Sequence, residues 1–163
     1  LREAGLKQGQ VFADIGSGPG FFTIPAARII GPMGLAFAVD TQEEMLLDLR
    51  DRRNPPDNVI LMKSEEYELP IADYEADFTL LAFVLHETPD KGRLLREIKR
   101  VMKPGATLLV LDWAKKAEEK GPPLEERISD KEARGFVEDA GFDVVQLSPL
   151  NQSLYRIIAR RPA

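Results

Sequence analysis

The run Val11-Phe12-Ala13-Asp14-Ile15-Gly16-Ser17-Gly18-Pro19-Gly20 constrains this chain more than any other stretch. An apolar strand passes through alternate glycines into a segment of helical period. Such a turn brings backbone N–H groups and the positive end of a helix to the crevice of a sheet. Glycine tolerates positive φ there and lets a ligand approach the backbone closely. On the glycines alone, a plain tight turn is the other reading.

The rest of the chain repeats the same alternation of apolar runs and helix-period segments. That predicts an α/β domain with a mainly parallel sheet. Strands are expected over Gln10–Asp14, Leu35–Asp40, Val59–Met62, Phe78–Leu85 and Thr107–Asp112. The Phe78–Leu85 run is continuously apolar, as in a strand buried on both faces. Helices are expected over Phe21–Ile30, where Phe21-Phe22 would pack onto the sheet, and over Gln42–Arg53, with Met45, Leu46 and Leu49 on one face. A third helix fits Asp90–Met102, stopped by Lys103-Pro104-Gly105. The charged stretch Trp113 to Arg127 reads as a loop or lid, with Lys115-Lys116 a solvated face. Ser129 can cap a helix running to about Ala140. Asp143–Leu147 and Leu154–Ala159 are separated by a short segment, enough for an antiparallel hairpin and too little for a crossover helix.

Composition narrows the function classes. The 163 residues suit one domain spanning 1–163, and 44% hydrophobic with 30% charged residues is a globular balance. No apolar run is long enough to span a membrane as a helix. With 22 Lys and Arg against 27 Asp and Glu, the net charge of −5 disfavours nucleic acid as a partner. The absence of cysteine excludes thiolate chemistry, and a single histidine argues against a zinc site. A cytoplasmic setting is the simplest. The chain begins at Leu1 rather than Met, so a native N-terminal segment is expected to precede it. Oligomeric state is not legible.

The glycine spacing selects among ligands. A dinucleotide fingerprint wants Gly or Ala where Phe21 stands, and no Gly-Lys-Ser/Thr follows for a P-loop. The spacing is Asp14-x-Gly16-x-Gly18-x-Gly20. At this point the chain resembles the class I S-adenosylmethionine-dependent methyltransferases. Asp40, twenty residues after Gly20, ends the second expected strand. A carboxylate there can accept both ribose hydroxyls, or, with Thr41 before Glu44, cap a helix. Ser64-Glu65-Glu66-Tyr67-Glu68-Leu69-Pro70 resembles the family's Gly-Asp-Ala-like triplet before a Leu-Pro pair, although such a run can also be a solvated loop.

The resemblance covers nearly the whole chain. It implies a Rossmann-like, doubly wound seven-stranded sheet, mainly parallel with an antiparallel C-terminal strand. It also implies S-adenosyl-L-methionine as cofactor, held by Asp14, Gly16, Ser17, Gly18, Gly20, Asp40, Thr41, Glu65, Glu66 and Ala82. Glu65 would accept from the adenine amino group and Glu66 would offer its backbone N–H. Glu replaces the family's Asp at the first position, and a bulkier Glu replaces Ala at the second. Leu-Pro followed by Phe-Val-Leu-His is most similar to the quinone-biosynthesis type, whose acceptors are small molecules. Asn54-Pro55-Pro56-Asp57 precedes the third strand and lacks an aromatic fourth residue, so it reads as a helix stop and not as a nucleobase-methylation motif. The metal-dependent catechol type of methyltransferase needs carboxylates just after the fourth strand, where this chain has Ala82-Phe83-Val84-Leu85, so metal dependence is not expected.

Ligands of open α/β sheets sit beyond the C-terminal strand ends. Phe83, His86, Glu87, Asp112 and Trp113 are the acceptor-side candidates there, and Phe83, His86 and Trp113 are expected to border one pocket. His86 can act as general base near its ordinary pKa of about 6.5, or it can cap the following helix or pack against the loop. Two functions remain open: methyl transfer to a small molecule, and a cofactor-binding partner or sensor without turnover.

Overall fold

A computed structural model describes the chain from Leu1 to Ala163. Seven strands form one sheet: β1 (Val11–Ile15), β2 (Leu35–Asp40), β3 (Val59–Lys63), β4 (Ala76–Ala82), β5 (Met102–Trp113), β6 (Asp143–Pro149) and β7 (Leu154–Arg160). Their order is β3-β2-β1-β4-β5-β7-β6. The first five pair in parallel, while β7 runs antiparallel to both β5 and β6. The fold is therefore the Rossmann-like, doubly wound arrangement expected from the sequence.

Side-chain alternation sorts the helices. Phe12, Ala36, Phe78 and Leu80 point to one face and are covered by Ala26, Ala27 and Ile30 of α1 (Thr23–Ile30). Ala38 continues that face under Leu46 and Leu49 of α2 (Glu43–Arg52). On the other face, Ala13, Val39 and Leu81 meet Leu94, Leu95, Ile98 and Val101 of α3 (Lys91–Val101), with Ala133 and Val137 of α4 (Asp130–Asp139). Asp90 caps α3 by accepting from the Arg93 N–H at 2.9 Å. Ser129 and Glu132 form a reciprocal capping box at the start of α4.

Several boundaries differ from expectation for physical reasons. Strand β4 stops at Ala82 instead of Leu85, because Phe83 adopts φ +61 and turns the chain away from β5. Strand β5 begins at Met102, which pairs with Ala76, and Lys103-Pro104-Gly105 bulges inside it rather than only ending the helix before it. Helix α1 begins at Thr23. Phe21 is 79% exposed and does not pack onto the sheet, whereas Phe22 is partly buried against the core. Met45 is partly exposed, leaving Leu46 and Leu49 as the buried face of α2.

Candidate functional site

The parallel strands leave β1 on opposite sides, to β2 and to β4, and the glycine turn stands at that switch point. Gly16 takes φ +74, and a Cβ there would collide with the Val84 side chain. Gly18 takes φ +52 and faces open space, so its bare backbone edge is accessible to a ligand. Gly20 is turned toward Leu49 of α2.

The turn does not present the free N–H groups expected of it. Gly16 and Ser17 donate to the Val39 carbonyl, Gly18 donates to Asp40 at 2.8 Å, and Gly20 donates to the Ser17 carbonyl. Pro19 has no N–H. Residues 16–20 therefore have no unpaired backbone donor for an anion.

Asp40 organises this end of the sheet. Its Oδ2 accepts from Gly18 and its Oδ1 from Gln42, both at 2.8 Å. The carboxylate thus ties the glycine turn to the entry of α2, whose N-cap is Gln42. Each oxygen keeps acceptor capacity toward the adjoining cavity, which is what a pair of ribose hydroxyls requires.

Asp14 serves a different end. It is buried beneath the turn and accepts from the Thr23 hydroxyl at 2.6 Å, anchoring the start of α1. Burial pushes its carboxyl up from 3.8 to about 7; the Thr23 hydrogen bond opposes this and the nearby Asp40 charge reinforces it. The folded chain therefore retains a proton that the unfolded chain releases. Stability is full below the unfolded value and is lost as pH rises through the folded one. Asp14→Asn is expected to remove this slope, gaining roughly 3–4 kcal/mol relative to the parent between about pH 4 and pH 8. Urea unfolding at both pH values measures it; an equal difference at both would show that Asp14 carries no retained proton.

A cavity of about 680 Å³ opens beside the turn. Of the sequence-predicted cofactor residues, Gly16, Gly18, Asp40, Thr41, Glu65, Glu66 and Ala82 line it. Asp14, Ser17 and Gly20 lie outside the lining, supporting the turn from behind. Ser64 and Leu69 of the quoted acidic motif line it too, as do Gln42, Met45, Lys63, Thr88 and Leu94, to which no sequence motif points. Ser64 and Leu69 flank the acidic run, so their placement was within reach of the motif. Met45 had only its helical spacing, which reads as core. Four lining carboxylates, Asp40, Glu65, Glu66 and Glu87, face a single lining cation, Lys63. This set of anionic acceptors fits the hydroxyls, amine and positive sulfonium of S-adenosylmethionine, and it opposes a phosphate-bearing ligand.

The acceptor-side candidates divide. Phe83 and Glu87 line the cavity, while His86 and Trp113 lie outside its lining. Trp113 packs against Phe83, with ring centroids 5.6 Å apart, and carries the Arg127 guanidinium over its ring. Arg127 is buried and donates to the carbonyls of Ala114, Lys116, Lys120 and Pro122 and to Glu118, which orders the 114–127 loop. His86 does not cap α3. Its Nδ1 lies 2.7 Å from Asp112 Oδ1, and its backbone N–H donates to Asp112 Oδ2 at 3.0 Å. The Asp112 hydrogen bond raises the imidazole pKa above 6.5 against the effect of burial. The ordinary value expected from sequence therefore does not hold.

Comparison with known proteins follows the same lines. The family model described as "Methyltransferase domain" matches residues 13–110. A solved structure of a SAM-dependent methyltransferase from Aquifex aeolicus is 37% identical, with a TM-score of 0.94, over 99% of this chain and 87% of that one. The demethylmenaquinone methyltransferase of Staphylococcus aureus strain JH9 is 30% identical over 112 residues, covering 69% of this chain and 46% of that protein. The chain thus spans about half the length of the curated relatives it matches. The [4+2]-cyclase SpnF superposes with a TM-score of 0.83 at 18% identity over 97% of this chain and 76% of that one, a likeness of fold alone.

Proposed function

The chain belongs to the methyltransferase-domain family, and from that premise we propose that it transfers the methyl group of S-adenosylmethionine directly to a small-molecule acceptor. The observation that carries this reading is the cavity beside the glycine turn: four carboxylates against one lysine, with every N–H from Gly16 to Gly20 already bonded. Such a site favours a cationic nucleoside over a phosphorylated one.

When bound, the cofactor supplies a methyl carbon that an acceptor nucleophile attacks as the carbon–sulfur bond breaks and its electron pair passes to sulfur. The chain's own task is orientation and exclusion of water, which is catalysis by proximity. Asp40 would hold the ribose hydroxyls, Glu65 the adenine amino group, and the bare edge of Gly18 would allow close approach. Gly16, Thr41, Glu66 and Ala82 would complete the wall, with Asp14, Ser17 and Gly20 supporting it from behind. His86 would take the acceptor's proton at Nε2. That nitrogen has no partner in the chain and is not among the buried unpartnered atoms, so it keeps contact with solvent. The named Staphylococcus relative supports a quinone-type acceptor, and such a ring is a nucleophile toward a methyl group in its reduced, quinol form. No helix is long and apolar enough to cross a membrane.

Titration calorimetry tests the cofactor. Binding of S-adenosylmethionine and its demethylated product is expected, with no heat from NAD or ATP at equal concentration. Tighter binding of NAD would overturn the assignment. Transfer of a radiolabelled methyl group to a panel of quinols and other metabolites then tests turnover; cofactor binding without label transfer to any of them would favour a sensor or partner protein.

A further inference from the structure

The clasp between the loop after β4 and the end of β5 has a consequence for the reaction. Asp112 is wholly buried, and its carboxylate makes three hydrogen bonds. Oδ2 accepts from the backbone N–H of His86, and Oδ1 accepts from that of Trp113 at 2.8 Å. The remaining bond joins Oδ1 to the His86 ring at 2.7 Å. A carboxylate already accepting two backbone donors meets the imidazole as an acceptor, so Nδ1 carries the proton and Nε2 presents its lone pair. The His86 side chain is only 8% exposed, so the ring has little freedom to turn over.

We infer that Asp112 is a positioning residue for methyl transfer: it holds His86 in the Nδ1–H tautomer, with Nε2 free to accept the acceptor's proton. This rests on the proposal that His86 is the base. The proton balance is simple. Nε2 gains the acceptor's proton as the new bond to the methyl carbon forms, and the resulting imidazolium keeps its Nδ1–H on Asp112. Holding the ring matters because a neutral imidazole has one basic nitrogen, and the other tautomer would bury it against the carboxylate. The other groups facing this pair are Glu87 in the same loop, Glu126 in the 3₁₀ turn Leu124–Glu126, and Tyr155, opposite Asp112 on β7. The two glutamates favour imidazolium, and none of the three replaces the Nδ1 contact.

His86 is the only histidine, so its ring resonances are unambiguous in a nitrogen-15 NMR titration. The parent is expected to show the Nδ1–H tautomer when neutral and a midpoint above about 6.5. In Asp112→Asn the side-chain amide can donate to Nδ1 and hold the opposite tautomer. The midpoint should fall by about one unit or more, and single-turnover methylation of 1,4-naphthoquinol, or of whichever acceptor the label screen identifies, should fall at least about tenfold. Cofactor affinity should stay within about twofold, since Asp112 does not line the cavity. The parent titration needs no variant, so a failure of Asp112→Asn to fold leaves the test standing.

An Nε2–H tautomer in the parent would overturn the inference, as would an Asp112→Asn protein with unchanged midpoint and rate. In the second case loss of turnover in His86→Ala would leave the base assignment intact, whereas an Nε2–H ring would bury its one basic nitrogen against Asp112 and remove His86 as the base as well. The expected NMR result together with full turnover in His86→Ala would instead sink the base assignment, leaving the pair a clasp between loops and the inference wrong.

Discussion

Turnover of His86→Ala is expected to fall by roughly 10²–10⁴-fold, with little change in cofactor affinity, if the acceptor loses its proton during transfer. The chemistry needs a free Nε2, and the imidazole is neutral only above its own pKa. Parent activity should therefore rise with pH through an apparent value above the ordinary 6.5, because the Asp112 hydrogen bond stabilises the imidazolium. Stability moves the opposite way. The raised folded value means that the His86–Asp112 pair contributes most below the unfolded pKa, and that this contribution is lost as pH rises through the folded one. A pH profile of single-turnover rate, paired with unfolding at the same pH values, separates the two. Equal rates for His86→Ala and parent at every pH from about 5.5 to 8.5 would remove His86 from the mechanism. Glu87, which lines the cavity, would then be the next residue to test as base.

Removing the Asp40 carboxylate is expected to weaken cofactor binding by roughly ten- to a few-hundredfold. That corresponds to about 1.5–3 kcal/mol for charge-assisted bonds to the ribose hydroxyls. The sequence alone leads one to expect an intact fold in Asp40→Ala, since a surface helix cap is worth only about 1 kcal/mol. The structure changes that part. Asp40 is buried and accepts from both Gly18 and Gln42, so its loss also frees two backbone donors and loosens the glycine turn. A lower melting temperature should therefore accompany the weaker binding. Calorimetry on the folded fraction separates the effects: unchanged affinity per folded molecule would mean that Asp40 serves only the turn. Asp40→Asn, which keeps one acceptor oxygen, should fall between parent and alanine in both measurements.

Local chemistry determined much of this protein. Strand period, glycine spacing and helix stops are local signals, so the alternation of elements, the turn at residues 16–20 and Asp40 at the end of β2 are legible in the residues themselves. The acidic run is legible as well, and Glu65 and Glu66 do reach the cavity wall. Only tertiary structure decided how these groups are used. The turn's N–H groups are consumed by Val39, Asp40 and Ser17, a matter of sheet register and not of glycine content. Strand β4 ends early because Phe83 turns where the chain must leave β5, which an apolar run cannot signal. Asp14 and Asp40 look alike in sequence, yet one is sealed beneath a helix start and the other borders an open cavity. The contact between His86 and Asp112 joins residues far apart in the chain through the parallel pairing of β4 with β5. Register and burial set which polar groups are spent inside the fold and which remain free for a ligand, and both depend on long-range pairing that no local pattern encodes.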